Sequence, residues 1–193
     1  MTPQYGLQVV TEPTAEAVPL AMARAQCQID GADHDAVLTT YILAARAYVE
    51  SITGRALMAQ TLRMTIDEFP DEPLDLPRGP VSSVSSVTYL DSAGATQTVS
   101  ASTYVVDTNS IPARLALADG ASWPTPAVRP GAVAINFVAG GTLDTVPEPL
   151  RHAILMLVAH WHANREAVSV GGNVTSIPLG FDALVAAYRL SWL

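Results

Sequence analysis

The sequence predicts a mainly α-helical protein with a small antiparallel β region inserted in it, an α+β chain, and three observations predict it. Apolar residues recur at three- and four-residue steps near both ends of the chain. In the middle they recur at period two. Turn-forming residues crowd that middle section, with Pro70, Pro73, Pro77, Pro80, Pro112, Pro124, Pro126 and Pro130 punctuating it. Period 3.6 marks a helix with one buried face, period two a strand with one buried face, and proline is confined to edges and loops of sheets. The resulting divisions are a helical part over 1–57, a β-rich insertion over 58–140 and a helical part over 141–193, together one domain.

The first helix is expected from Thr14 to about Cys27, with Pro19 in its first turn, where a missing N–H does no harm. "GADHD" is a turn, and Asp33 is the expected N-cap of a longer second helix. In that helix Leu38, Tyr41, Ile42, Ala45, Tyr48, Val49 and Ile52 form one apolar stripe, which places Thr39, Arg46 and Glu50 on the other faces. Gly54 supplies the left-handed residue that ends it.

From Met58 the alternation takes over. "QTLRMTIDEF" sets Leu62, Met64 and Ile66 against Thr61, Arg63 and Thr65. "VSSVSSVTYLDSAGATQTV" reads as a hairpin turning at "DSAG". "TYVVD", "ARLAL" and "AVAINFVAG" read as further short strands. A third helix is expected over about Val146–Arg165, with Thr145 and Glu148 at capping-box spacing. The Gly171–Gly172 pair lies in a loop expected to be mobile, and "FDALVAAYRLSWL" closes the chain as an amphipathic helix.

Charge and cysteine usage exclude several classes of function. The chain of 193 residues has 10 basic residues, all arginine, against 18 acidic ones, a net charge of −8. Proteins that grip nucleic acid usually carry a basic face, and these arginines are scattered from Arg24 to Arg189. Asp67, Glu68, Asp71, Glu72 and Asp75 form an acidic stretch expected to be solvated. Cys27 is the only cysteine, so there is no disulfide framework and no thiolate zinc site. Its apolar setting predicts a buried structural thiol. The N-terminus lacks a basic region followed by a long apolar run, so no signal peptide is expected. The longest wholly apolar run, Ala153 to Ala159, is far short of the ~20 residues that span a bilayer.

"LVAHWHANRE", residues 157–166, invites a metal reading, which helix geometry answers. His160 and His162 lie about 200° apart around a helix, so they cannot share an ion. His152 and His160 do share a side, but nothing nearby completes a coordination shell. Packing is the better reading, because Ala153 to Ala159 is apolar all the way round and a neighbouring subunit could cover what the chain itself cannot. Leu157, Trp161, Tyr41 and Tyr48 are the residues expected in that packing. No nucleophile elbow, phosphate-cradling loop, H-E-x-x-H or dinucleotide fingerprint occurs, so neither an enzyme nor a cofactor is expected. The alternative class is a small non-catalytic module that binds a ligand or peptide. Against it, Trp123, Trp161 and Trp192 fall in three different sections.

The order of elements carries a further signal. "YVESITGRAL" leads into "MAQTLRMTIDEFP", followed by "PVSSVSSVTYLD", "LVAHWHANREAV" and "LVAAYR". From about Pro19 to Trp192 this series resembles the head-tail connector (adaptor, or head-completion) proteins of long-tailed bacteriophages and gene transfer agents. The proline-rich "DEPLDLPRGP" and "ASWPTPAVRP" depart from that pattern. The resemblance implies a helical body packing side by side into a ring, dodecameric to match the portal, in the neck of a particle assembled in the bacterial cytoplasm. It implies as partners the chain itself, the portal protein and a tail-side neck or stopper protein, with DNA passing through unheld and no membrane involved. It also implies that the C-terminal segment docks onto the portal. Leu184, Tyr188, Trp192 and Leu193 are the expected docking residues, the alternative being that the segment folds back on its own subunit.

Overall fold

The computed structural model describes residues 5–164 and 179–190. Among these, helices account for 32% of residues and strands for 29%, with four helices and eight strands in two antiparallel sheets. The expectation of a mainly helical chain with a small β insertion is therefore wrong. The β part is as large as the helical part, because strands of three to ten residues, bulged or separated by prolines, leave weak periodic traces that build a full sheet once paired. Two compact units result. One comprises the chain up to Pro13 together with Ala59–Gly141, and the other Thr14–Met58 together with the chain from Thr142 on.

In the β unit a five-stranded sheet contains β1 (Gly6–Thr11), β2 (Gln60–Ile66), β4 (Val81–Leu90), β5 (Thr96–Thr98) and β8 (Val133–Ala139) in the order β1-β2-β8-β4-β5. A three-stranded sheet contains β3 (Leu74–Leu76), β6 (Tyr104–Asp107) and β7 (Ala113–Leu117) in the order β3-β7-β6. The expected alternation of β2 is observed, with Leu62, Met64 and Ile66 buried. They sit opposite Phe137, Ile135 and Val133 of β8, so one face of both strands is core.

The repeat "VSSVSSV" in β4 has valines three apart, a spacing that would put successive valines on opposite faces of a regular strand. Register shifts between Val81 and Ser83 and between Val84 and Ser86 resolve this. Each shift takes up one extra residue, so Val81, Val84 and Val87 meet Ala139, Phe137 and Ile135, alternate residues of one buried row. The hairpin between β4 and β5 turns where expected. Asp91 accepts hydrogen bonds from the backbone N–H of Ala93 and Ala95, and Gly94 takes a positive φ of 79°.

β1 and β3 have no counterpart in the sequence-based expectation. β1 is an edge strand exposed along nearly its whole length, so it carries no alternation to read. β3 is three residues between prolines, yet Leu74 and Leu76 are buried and pair with Leu115 and Ala113. Between β6 and β7, Asp107 accepts from the Ser110 hydroxyl at 2.6 Å, from Arg114 at 3.0 Å and from the Asn109 N–H at 3.0 Å. These donors, the Ser110 hydroxyl foremost, lower its pKa from an ordinary 3.8 to about 2.

The helical unit contains α1 (Leu20–Gln26), α2 (Asp35–Thr53), α3 (Glu148–Ala163) and α4 (Leu179–Ala186). α2 packs against α1, α3 and α4. The core joins Leu38, Ile42, Ala45 and Val49 of α2 to Leu150, Ala153, Ile154, Leu157 and Val158 of α3. Helix starts differ from expectation. Pro19 and Pro147 stand at the N-cap positions of α1 and α3, and His34 rather than Asp33 precedes α2. Thr145 does not cap α3, since its hydroxyl accepts from the Thr142 N–H and closes a 3-10 turn before the helix. Gly54 ends α2 in the left-handed conformation, φ 68°, as expected. Cys27 is half-buried against the core, and burial pushes its thiol pKa up.

The largest departure lies on α2. Arg46 and Glu50, expected on the outer faces, are buried, with 7% and 6% of their surface exposed. Arg46 Nε donates to Glu16 Oε2 at 2.8 Å and a terminal nitrogen to Glu50 Oε2 at 2.9 Å. Glu50 Oε1 accepts from the Leu57 N–H at 2.7 Å. Burial alone would lower the guanidinium's pKa, but the two carboxylates outweigh it and hold it above the ordinary arginine value.

Arg46→Ala leaves Glu50 buried without its cation and should destabilise the chain by about 3–5 kcal/mol in urea denaturation, with a loss under about 1 kcal/mol contradicting the network. The Asp107 carboxyl should titrate near pH 2 by NMR. Because its folded pKa lies below the unfolded one, the stabilisation it provides is full at neutral pH and fades as pH falls from about 4 through 2. Arg114→Ala should move the midpoint toward 3.8.

Candidate functional site

The expected packing residues fall into two aromatic contacts on the helical unit. Tyr41 of α2 meets Trp161 of α3 edge-on, with ring centroids 6.2 Å apart. Tyr48 meets Phe181 of α4, with centroids 5.8 Å apart. Leu157 is fully buried within the chain itself. Tyr41 and Trp161 are half-buried, and Tyr48 is exposed. The apolar circumference of α3 therefore finds cover inside the chain, and the aromatic rings at its edge stay accessible. Beside the Trp161 contact, the His34 and His162 rings meet edge-on at 5.4 Å.

The expected docking residues divide. Trp192, Leu193 and the Gly171–Gly172 loop lie outside the described residues. Leu184 and Tyr188 lie half-buried against the helical core, on a segment anchored by its neighbours Phe181 and Val185, which are fully buried. Contacts from the end of α2 hold the chain beyond α4. The Leu190 N–H donates to the Thr53 carbonyl at 2.9 Å, and Arg55 Nε donates to the Tyr188 carbonyl at 2.7 Å. The Arg55 guanidinium also sits 6.0 Å from the centre of the Tyr188 ring, a distance at which a cation is drawn to the ring face. Burial lowers the Arg55 pKa from its ordinary value. The described part of the C-terminal segment thus folds back on its own subunit, the alternative expected for it.

In the β unit the structure assembles a group that sequence reading missed. Phe69 stacks on Trp123 with centroids 4.6 Å apart and planes 6° apart, Tyr104 lies 6.4 Å from Trp123, and Tyr89 meets Phe69 edge-on. These rings come from four separate stretches, and only the paired strands bring them together. A groove of about 290 Å³ beside them is lined by Tyr89, Ser100, Thr103, Ser122 and Trp123. A second, of about 450 Å³, lies between Asp67, Glu68 and residues 125–130. The five carboxylates of the acidic stretch are exposed, as expected, and Asp67 accepts from the Gly131 N–H at 2.8 Å. Neither groove gathers the convergent buried polar groups that chemistry requires.

Against this geometry, residues 18–116 match the model of the phage gp6-like head-tail connector protein family, just over half of the chain. The chain belongs to that family. It is a structural connector of the head-tail junction. Solved structures extend the likeness over nearly the full length. A chain in the neck of an empty gene transfer agent (GTA) particle, computed with C6 symmetry, is similar at a TM-score of 0.80 and 26% identity, with 97% of each chain covered. A chain in the virion of the native GTA particle gives 0.79 and 26%, covering 97% of this connector and 96% of that chain. One in the neck of the native GTA particle, computed with C12 symmetry, gives 0.76 and 28%, with 97% of each covered. No curated protein matches the connector's sequence.

The anchoring of α4 has a measurable consequence. Phe181→Ala should destabilise the connector by about 3–5 kcal/mol in chemical denaturation, because it empties a filled core site. A change below about 0.5 kcal/mol would show that α4 is not part of the core.

Proposed function

We propose that this connector forms a ring of identical copies, twelve to match the portal, seated beneath the portal in the particle neck. The ring extends the DNA channel and passes it to a tail-side neck or stopper protein. The observation that carries this reading is the likeness to GTA neck chains over 97% of both partners, an extent that takes in the helical and the β units alike. Identical subunits around a closed axis meet through two different faces of each chain.

The charge pattern supports a conduit. Five of the ten arginines, Arg24, Arg46, Arg114, Arg151 and Arg189, are each paired with a carboxylate of the same chain, and the chain as a whole carries a net charge of −8. Each cation that neutralises a phosphate adds affinity and salt dependence, so an acidic chain with paired arginines lets DNA slide. On the portal side, Leu184 and Tyr188, with Trp192 and Leu193 beyond them, are the docking residues. No catalytic step is assigned to any residue.

Removing the connector from a particle-producing host should give DNA-filled heads without tails, scored by electron microscopy, and the full chain should restore them. Trp192→Ala should lower restoration at least tenfold while leaving the circular dichroism and melting of the purified protein unchanged, in keeping with an apolar hot spot of about 2 kcal/mol. Tailed particles produced without the connector would refute the assignment. Tight, salt-sensitive binding of duplex DNA by the purified protein would refute the conduit.

A further inference from the structure

α2 buries its charges together with its core-facing apolar residues. Its charged residues beyond the first turn, Arg46 and Glu50, point inward and are paired there. Between Ala36 and Ser51 every exposed residue is alanine, valine, leucine, tyrosine, threonine or serine, and none is charged. Val37, Leu43 and Tyr48 are 39%, 43% and 38% exposed. A helix that faces water normally carries its charges on the outer face. The outer face of α2 is built to be covered.

The occupant is constrained by charge. Each copy of the connector carries a net charge of −8, and like charges brought together across an interface oppose assembly by several kcal/mol. A face without a carboxylate is where another acidic chain can approach without that opposition. Its neck relatives come from particles computed with C6 and C12 symmetry, in which chains repeat around an axis. We propose that the outer face of α2 is the apolar centre of the contact between neighbouring copies, an inference that rests on the ring described above. A helix of this length is about 28 Å long and about 10 Å wide, so its face covers about 300 Å². A standard interface buries about 800 Å² per partner, so a polar rim surrounds the α2 strip. The surface that meets α2 is a different one on the neighbouring copy, because the contacts of a ring are heterologous.

The test uses full-length connector carrying the photo-crosslinker p-benzoylphenylalanine, incorporated into particles in a host lacking the wild-type chain. The probe replaces Tyr48, an aromatic position that accepts it with little change in shape, and in a second variant Leu43. Exposed His152 on α3 carries it as a control. Irradiation of purified particles should convert the connector into species of twice its 20.3 kDa and higher multiples, at least fivefold more from positions 43 and 48 than from 152. Mass spectrometry should identify both linked peptides as connector. Links only within one chain, links to a different protein, or no excess over the control would each overturn the inference while leaving a ring intact. Particles whose necks hold no connector would instead overturn the ring itself. Leu43→Glu, which keeps helix propensity and adds a charge, should reduce incorporation at least tenfold with unchanged melting, and normal incorporation would also overturn the inference.

Discussion

The triad of half-buried Glu16 with buried Arg46 and Glu50 is the constraint on which the helical unit depends. Arg46 reaches from α2 to a carboxylate thirty residues earlier in the chain and to another one turn later. Glu50 then spends its second oxygen on the Leu57 N–H, just before the chain leaves for β2. The segment entering the helices, the middle of α2 and the exit toward the sheet are thereby fixed to one another by three hydrogen bonds. Its neighbour Thr53 holds the chain after α4 through the Leu190 N–H. Charge-assisted bonds of this kind are directional in a way that Leu38 or Ile42 packing is not. Hydrophobic burial drives the collapse, and the triad decides how the ends are arranged around it.

How much of this could be read in the sequence depends on how locally each feature is encoded. α2 and α3, β2 and β8, and the hairpin at Asp91 were legible because each repeats a period over at least seven residues or carries its own turn chemistry. β1 was not, since an edge strand with little buried surface has no alternation, and its partner Thr65 lies some sixty residues along from Gly6. β3 is too short to show a period. These two strands, with the bulged β4, turn a small insertion into a unit as large as the helical one, and that is where the fold class went astray. The inward turn of Arg46 and Glu50 was hidden because amphipathic reasoning assigns charge to water, and only the tertiary position of Glu16 reverses that. The signal was nonetheless present. With Arg46 and Glu50 set aside, Val37, Leu43, Ala44 and Ala47 leave α2 with no polar side strong enough to face solvent. The Phe69–Trp123 stack had no such signal, since its rings are joined only by strand pairing.

The interleaving of the two units bears on how the chain reaches them. Neither unit is a continuous stretch, because the backbone passes between them at Pro13, at Met58 and at Gly141. The five-stranded sheet cannot be completed until β1 returns to β2 across the whole of α1 and α2. The loop entropy of that closure grows only with the logarithm of its length, so forming the first two helices beforehand shortens the effective loop and eases the pairing. The β2–β8–β4 centre is built from 60–139 alone and needs no such help. Local order in α2 therefore lowers the loop-closure cost of adding the edge strand, a cost the sheet's centre does not carry.

Stability alone does not account for the triad. Replacing a buried ion pair with well-packed apolar residues is often neutral or stabilising. Such a replacement at positions 46 and 50 would leave α2 apolar on nearly every side, since its exposed residues already lack charge. A helix apolar all round has no preferred rotation about its own axis, and Leu43 could turn inward as readily as Ile42. The Arg46 guanidinium and the Glu50 carboxylate remove that freedom, because they find their partners, Glu16 and the Leu57 N–H, at only one rotation. Burying charge is thus what permits α2 to keep a second apolar face without losing its register on the core. In the proposed ring an acidic subunit meets acidic neighbours, and on this helix the inward charges leave an uncharged face for that contact.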